Sequence, residues 1–294
     1  TLAREARANA NASARAPADD AGPKASKQPC FEFQKHGLCS KGDRCRFSHE
    51  TVPGAAAPGA TREAIGAAYS AEERRVSEAL RRDLLHKHRT SREYADLLQK
   101  REKLPAYQMR AEIVDAIARH QIVVISGDMG CGKTTQVPQL VLDAEILRGA
   151  GARANVIVTQ PRRISAIGVA ERIAAERAEP VGHTAGYAIR LESKRSRNTR
   201  LLLCTTGVLL RRLQVDRELA SVSHVFVDEV HERDLSTDFL LIIVRALLTR
   251  RPNLKLVLMS ATLNASVFSD YFGGAPAVSI PGRAHPVRAL FLED

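Results

Sequence analysis

Tryptophan is missing from this chain of 294 residues, and all aromatic residues together make up only 4% of it. A core must therefore be packed mainly from Val, Ile, Leu and Ala, and an apolar content of 44% is sufficient for a globular protein. No apolar stretch approaches the ~20 residues of a membrane-spanning helix, so the composition predicts a soluble protein without a membrane partner.

Cysteines are few and unevenly placed. Three of the five lie between Cys30 and Cys45, whereas Cys131 and Cys204 are far away in the sequence. This is not the even-numbered framework of a disulfide-rich secreted protein, and it predicts a reducing compartment. The first residue is Thr1 and no signal sequence follows, so we expect a piece of a longer intracellular protein, cytoplasmic or nuclear.

Acidic residues are outnumbered, because 33 Asp and Glu face 44 Lys and Arg, which gives a net charge of +11. An excess of positive charge favours a polyanionic partner, and nucleic acid is the commonest one. An arginine-rich proteome would produce the same excess, so the charge by itself leaves both interpretations open.

Charged residues dominate the segment that precedes the apolar half of the chain. Val76, Leu80 and Leu84 recur every four residues, which predicts an amphipathic helix. Thr90 and Glu93 have the spacing of a capping box, which predicts that the helix restarts there. The arginines of this helical extension could touch RNA, but a solvated helix face is favoured.

Beyond residue 104, short apolar strands alternate with amphipathic helices. This alternation predicts an α/β fold with a mainly parallel sheet, helices on both faces, and ligand sites at the carboxyl ends of the strands. Predicted strands are 122–126, 156–159, 201–204, 224–227 and 256–260, and predicted helices lie near 133–147, 162–177, 206–214, 236–249 and 265–271. The expected divisions are a disordered tail (1–28), a cysteine cluster (29–50), a flexible linker (51–69), the helical extension (70–103), the α/β domain (104–283) and a connecting segment (284–294).

A glycine-rich loop follows the first of these strands and matches G-x-x-x-x-G-K-[ST], in the strand–loop–helix setting that a phosphate-binding loop requires. Its backbone N–H groups and the positive end of the next helix would surround the phosphates of ATP. Lys133 is predicted to contact the β- and γ-phosphates, Thr134 to hold Mg²⁺, and Cys131 to be an unreactive spacer. The predicted nucleotide-binding residues are Gly127, Asp128, Met129, Gly130, Cys131, Gly132, Lys133, Thr134 and Thr135.

Two neighbouring carboxylates, Asp228 and Glu229, end the strand at 224–227. Opposite a phosphate-binding loop, Asp228 is predicted to complete the Mg²⁺ site, and Glu229 to contact Mg²⁺ and to act as general base on the attacking water. Such a pair alone is more often a solvated strand end, but together with the loop it predicts ATP hydrolysis.

The sequence Asp228-Glu-Val-His231 resembles the DEAH box, in its D-E-V-H form, of the DEAH/RHA group of superfamily 2 RNA helicases. Other stretches resemble further motifs of this family in order: 159–163 (motif Ia), 205–207 and 209–211 (Ib), 260–262 (III), and the signatures 186–190 and 280–283. The resemblance covers residues 104–294 and implies a RecA-like ATP-binding domain that couples hydrolysis to 3′-to-5′ movement along single-stranded RNA.

The resemblance also implies roles for single residues. Arg162, Arg163, Arg190 and Thr205 match positions that hold the RNA backbone without reading its sequence, with structural ion pairing as the alternative for the arginines. Arg172 matches the arginine that stacks on the nucleotide base. Three residues match family positions that couple ATP hydrolysis to movement of the nucleic-acid strand: His231, Ser260 and Thr262. A second RecA-like domain with an arginine finger is expected beyond residue 294, so this piece alone should hydrolyse ATP weakly.

Four metal-binding side chains lie near the amino terminus. Cys30, Cys39, Cys45 and His49 are separated by eight, five and three residues, the C-x8-C-x5-C-x3-H spacing of the CCCH zinc-finger family. Three thiolates and one imidazole form a closed tetrahedral shell, which predicts a structural Zn²⁺. A segment of this size cannot bury a core, so metal binding would drive its folding.

RNA contact by this finger is predicted from its aromatic residues. Phe47 resembles a base-stacking position of RNA-binding CCCH fingers, and Phe33 is a second aromatic. Lys41 stands where the best RNA-binding relatives have an aromatic residue, so docking to a protein remains the alternative. For the whole chain, the alternatives to an RNA helicase are a nucleotide-gated RNA-binding clamp and a DNA helicase.

Overall fold

The computed structural model describes residues 26–29, 47–48, 69–261 and 265–282 of a chain that separates into two compact units, Thr1–Ala55 and Ala56–Asp294. In the first unit, strand β1 (Ser26–Pro29) pairs in parallel with strand β2 (Phe47–Ser48). β1 includes residues 26–28, which the sequence assigned to a disordered tail, so that prediction is wrong for these three residues. The predicted zinc ligands Cys30, Cys39, Cys45 and His49, with Phe33 and the side chain of Phe47, lie outside the described part.

Four helices open the second unit: α1 (Ala71–Thr90), α2 (Arg92–Glu102), α3 (Pro105–Gln108) and α4 (Arg110–Arg119). A capping box does begin α1, where the Ser70 hydroxyl accepts the Glu73 amide and the Glu73 carboxylate accepts the Ser70 amide. The capping box predicted at Thr90 is wrong. Thr90 ends α1, and the Ser91 hydroxyl caps α2 by accepting the Tyr94 amide at 3.2 Å.

An eight-stranded sheet forms the centre of the second unit, in the order β10-β3-β9-β8-β4-β7-β5-β6. All neighbours are parallel except β5 and β6, which confirms the predicted mainly parallel α/β fold. The strands are β3 (Ile122–Gly127), β4 (Val156–Gln160), β5 (Ala185–Ile189), β6 (Glu192–Lys194), β7 (Leu201–Thr205), β8 (His224–Val227), β9 (Lys255–Ser260) and β10 (Ala277–Ile280).

The helices between the strands are α5 (Lys133–Leu147), α6 (Arg163–Glu176), α7 (Thr206–Val215), α8 (Leu235–Arg250) and α9 (Ala265–Tyr271), and a 3₁₀ turn spans Val230–Glu232. The five predicted strands and five predicted helices are confirmed to within one residue at each end. Strands β5, β6 and β10 of this unit were not predicted, nor were β1 and β2 of the first unit.

Alternate side chains of the strands pack on opposite faces of the sheet. In β3, Val123 and Ile125 pack with α4, α5 and α6, whereas Val124 packs with α7 and α8. Each face buries a continuous set of aliphatic residues, as expected for a parallel sheet that is covered on both sides.

The helical extension packs on the face that carries α5 and α6. Leu84 is buried in that core, and the Lys87 ammonium pairs with the Glu179 carboxylate across the junction. The interpretation of its arginines as a solvated face is wrong for Arg101, whose side chain is 1% exposed. Among the described residues, none of the helices has both the length and the apolarity needed to cross a membrane.

The imidazole of His224, at the start of β8, is an uncharged group held inside the fold. Burial lowers its pKa from 6.5 to about 4, Lys255 and Arg148 also lower it, and Glu145 opposes the shift. The unfolded chain therefore binds a proton between pH 6.5 and 4 that the folded chain does not, so the stability contributed by neutral His224 is lost as the pH falls through this range.

Replacing His224 by Gln is expected to flatten the pH dependence of unfolding. Relative to the variant, the wild-type free energy of unfolding should fall by up to about 3 kcal/mol between pH 7.5 and 4. Urea denaturation at a series of pH values measures the difference, and His86→Gln on the exposed face of α1 is the control. Parallel curves for wild type and His224→Gln would contradict the assignment.

Candidate functional site

Three strand ends bring the predicted catalytic residues to one edge of the sheet. β9 lies between β3 and β8, with Ser126 paired to Ser260 and Val227 paired to Leu258. The loop after β3 and the acidic pair after β8 therefore flank the end of β9, at the carboxyl edge where ligands of parallel sheets bind.

The loop from Gly127 to Gly132 contains two glycines with a positive φ, Gly130 and Gly132. Gly132 begins α5 with a φ of 89°, a left-handed conformation that a residue with a side chain adopts only under strain. The segment after β10 also touches the loop, because a Cβ added at Gly282 would lie 1.8 Å from the Asp128 carboxylate. The backbone at Gly282 therefore lies so close to Asp128 that a residue with a side chain would not fit there.

Lys133 and Glu229 face each other across this edge, with 4.0 Å between the Lys133 Nζ and the Glu229 Oε1. The lysine side chain is 5% exposed and the glutamate 28%, so one is enclosed and the other is accessible to water. Glu229 has a φ of 53°, and its amide donates to the Asp228 carboxylate at 2.9 Å. A non-glycine residue in this conformation is strained, and such strain is common at functional sites.

Asp228 is enclosed beside the loop helix. The Gln160 amide donates to its carboxylate at 2.6 Å, and the Thr134 hydroxyl forms a second hydrogen bond to it. Burial raises its pKa from 3.8 to about 6, the charge of Glu229 adds to the rise, and the two hydrogen bonds oppose it. A buried carboxylate next to a threonine hydroxyl presents two hard oxygen ligands, which fits Mg²⁺.

His231 joins the acidic pair to the end of β9. Its Nδ1 accepts the Ala261 amide at 3.1 Å and lies 3.4 Å from the Glu229 Oε2. Ser260, the preceding residue, is fully buried. Thr262 lies outside the described residues.

The two cysteines of this unit are enclosed thiols. Cys131 is fully buried within the loop, and desolvation raises its pKa. Burial raises the pKa of Cys204 to about 12. Protonated thiols are poor nucleophiles, which is consistent with the predicted unreactive spacer at position 131.

The RNA-contacting residues that were predicted in the second unit lie along the same edge of the sheet, at neighbouring strand ends. Gln160 of β4 pairs with Thr205 of β7, and β5, which pairs with β7, ends just before Arg190. Arg162 is 73% exposed and contacts the Glu232 carboxylate at 3.3 Å. Arg163, the first residue of α6, and Arg190 are exposed. The three exposed arginines therefore lie at the carboxyl ends of β4 and β5, on the same edge of the sheet.

A buried polar cluster beside the loop helix was missed by the sequence interpretation. Arg101 donates from Nε to the Gln136 Oε1 at 2.8 Å, and the Gln136 and Gln139 amides donate to the Glu176 Oε2 at 2.8 and 2.9 Å. The other Glu176 oxygen accepts from Arg172 Nε at 2.8 Å. Two glutamines within the mainly apolar stretch 136–142 of α5 were the available signal.

Comparisons with known proteins match both units. A family model described as DEAD/DEAH box helicase matches residues 107–270, and one described as zinc finger C-x8-C-x5-C-x3-H type (and similar) matches residues 26–51. The DExH-box ATP-dependent RNA helicase DExH3 of Arabidopsis thaliana is 62% identical over 194 residues, which is 66% of this chain and 16% of that protein.

Two human proteins are also similar to the chain. The putative ATP-dependent RNA helicase DHX57 of Homo sapiens is 57% identical over 204 residues, 69% of this chain and 15% of that protein. The ATP-dependent DNA/RNA helicase DHX36 of Homo sapiens is 52% identical over 213 residues, 71% of this chain and 21% of that protein. The chain thus spans about a fifth or less of the length of these relatives.

Proposed function

Because the chain belongs to the DEAD/DEAH box helicase family, we propose that it is the ATP-binding part of an ATP-dependent RNA helicase. The observation that carries the proposal is the meeting of Lys133, Asp228 and Glu229 at one sheet edge, with the lysine and Glu229 4.0 Å apart. A cation for the phosphates, a buried ligand for a metal and an accessible base are what phosphoryl transfer to water requires.

The chain's own groups divide the work as follows. Lys133 and the loop amides bind the β- and γ-phosphates, and residues 127–135 form the nucleotide site. Thr134, Asp228 and Glu229 are the proposed contacts of Mg²⁺, which would neutralise charge that develops on the phosphates. Glu229 takes the proton of the attacking water. Arg172 packs against the base.

Coupling to RNA is proposed to run through the short connection from His231 to the end of β9. The hydrogen bond from the Ala261 amide to His231 Nδ1 ties the acidic segment to Ser260 and Thr262. A change in the position of Glu229 on hydrolysis would be passed to this segment, because His231 lies two residues beyond it.

RNA is proposed to cross the carboxyl edge of the sheet over Arg162, Arg163, Arg190 and Thr205, in contacts to phosphate and sugar that do not depend on base sequence. The finger, with Zn²⁺ held by Cys30, Cys39, Cys45 and His49, would add base stacking on Phe47 and Phe33. We also propose the domain boundaries given above, except that residues 26–28 belong to β1 and not to the tail. The proposed location is intracellular, in the cytoplasm or nucleus.

A DNA substrate is the second candidate, because one of the similar human proteins is named a DNA/RNA helicase. Contacts to phosphate do not distinguish the two polymers, whereas contacts to the 2′-hydroxyl would. Parallel titrations with single-stranded RNA and DNA of one sequence separate the candidates. A nucleotide-gated clamp would bind RNA in response to ATP without any hydrolysis.

Two substitutions are expected to weaken RNA binding in different ways. Arg162→Ala should lower affinity for all single strands alike and flatten the dependence of log K on log salt by up to about one unit, because one phosphate contact releases fewer counterions. Phe47→Ala should remove stacking worth ~1–3 kcal/mol per base and leave the slope nearly unchanged. Fluorescence anisotropy on several short RNAs across a salt series measures both.

Arg250→Ala is the matched control for the first substitution. Arg250 is 54% exposed and pairs with Glu218, as Arg162 pairs with Glu232, but it ends α8 at the opposite edge of the sheet. An equal loss in both arginine variants would contradict the proposed RNA path. If Phe47→Ala changes binding to no RNA, the finger is a protein-docking module.

A further inference from the structure

Arg101 is a cation of the helical extension that is enclosed in the nucleotide-binding unit. Its side chain is 1% exposed, and among the described residues its two terminal nitrogens have no hydrogen-bond partner. The guanidinium carbon lies 5.6 Å from the centroid of the Tyr107 ring, which is within range of a cation–π interaction. An enclosed charge of this kind is costly, and it is tolerated only where an opposite charge and hydrogen bonds compensate it.

Glu176 is the carboxylate that compensates this charge. Its Oε2 accepts from Gln136 and Gln139 and lies 3.7 Å from Arg101 Nε, while Arg101 itself donates to Gln136. Three neighbours therefore hold one oxygen and fix the plane of the carboxylate. The Glu176 side chain is 2% exposed, so water does not compete for these contacts.

Arg172 donates a hydrogen bond to the other oxygen of the Glu176 carboxylate. Its Nε donates to Glu176 Oε1 at 2.8 Å, yet its side chain is 63% exposed, so the guanidinium is both anchored and accessible. Gln136 also donates to the Thr135 hydroxyl at 2.9 Å, which places the cluster beside the start of the loop helix. An arginine that is held before the ligand arrives loses less rotamer freedom on binding.

We propose that Arg101 and Glu176 are positioning residues for the nucleotide, which act by holding Arg172 in the orientation that receives the base. The helical extension is then part of the nucleotide site, although it precedes residues 107–270 that match the family model. This inference rests on the proposed function, because it requires that the unit bind ATP with Arg172 at the base.

The test compares a ligand that has a base with one that lacks it. Dissociation constants of MgATP and magnesium tripolyphosphate are measured by calorimetry on the full chain, for wild type, Arg101→Met, Glu176→Gln and Arg172→Ala. Each substitution is expected to weaken MgATP about two- to tenfold and to leave tripolyphosphate within about twofold. Arg101→Met in the Arg172→Ala background should cause no further change in the ratio of the two constants.

Arg177→Met is the control for loss of a buried arginine. Arg177 is 4% exposed and pairs with Asp143 at 2.8 Å, outside the Glu176 cluster. It should lower the melting temperature as Arg101→Met does without changing the ratio of the two constants. An equal change in the ratio would overturn the inference, as would an unchanged ratio in Arg101→Met and Glu176→Gln. Failure of the wild-type chain to bind MgATP would instead contradict the proposed function.

Discussion

Lys133→Ala is expected to abolish MgATP binding, whereas Glu229→Gln is expected to bind MgATP and to lose hydrolysis. In the proposed mechanism Lys133 makes charge-assisted contacts to two phosphates in the ground state, so its removal should weaken binding by about 100-fold or more. In the proposed mechanism Glu229 takes the proton of the attacking water, and this contribution appears in the transition state, so turnover should fall by about 100-fold or more. Glutamine keeps a side-chain oxygen for the proposed contact with Mg²⁺, so the affinity for MgATP should change little.

Calorimetry and single-turnover hydrolysis in the presence of RNA measure the two effects. Lys100→Ala, an exposed lysine of α2, and Glu171→Gln, an exposed glutamate of α6, are the matched controls. Equal loss of affinity in Lys133→Ala and Glu229→Gln would contradict the division of roles, because both side chains would then act as ground-state ligands.

Cys45→Ser is expected to remove the single zinc ion bound per chain and to leave the ATP-binding unit folded. Structural zinc contributes an apparent ~10–16 kcal/mol to the folding of such a finger, and serine is a poor replacement for a thiolate ligand. Metal analysis gives the zinc content, and the thermal unfolding of residues 56–294 gives the effect on the second unit.

The control is Cys204→Ser, which removes a buried cysteine of β7 and should retain one zinc ion per chain. A chelator should unfold the finger and leave nucleotide binding unchanged. Wild-type protein without zinc would contradict the finger, and loss of the α/β unit on chelation would contradict the independence of the two units.

Most of the sheet could be predicted because five of its eight strands are short, mainly apolar runs. His224-Val-Phe-Val227 and Val156-Ile-Val-Thr159 are buried on both faces and are bounded by residues that end a strand, so composition and length were sufficient. The helices between them followed from their apolar periodicity, and the phosphate loop fixed the start of α5.

The three unpredicted strands of the eight-stranded sheet owe their structure to neighbours rather than to their own residues. β5 contains Gly186 and two alanines, which have little strand preference, and it is held by pairing with β7. β6 is three exposed residues that exist only as the partner of β5. β10 is four residues long and pairs with β3.

Short sequence motifs were sufficient to predict the candidate catalytic residues, but not the buried side chains that pack around them. Spacing alone identified Lys133, Asp228 and Glu229 as candidates, because contiguous residues define each motif. The contact between Arg101 and Glu176 joins positions 75 residues apart, and no local pattern distinguishes Arg101 from the exposed arginines around it. Buried long-range ion pairs of this kind require the fold.

The helix that follows the extension also reaches the phosphate loop. The Ala106 amide of α3 donates to the Cys131 carbonyl at 3.0 Å, and Leu104 packs on Gly132, where an added Cβ would lie 3.2 Å from its Cδ1. If the loop opens at Cys131, this hydrogen bond breaks and the Ala106 amide becomes exposed to solvent. Amide hydrogen exchange at this one position reports the opening of the loop, and a bound ligand that closes the loop slows it.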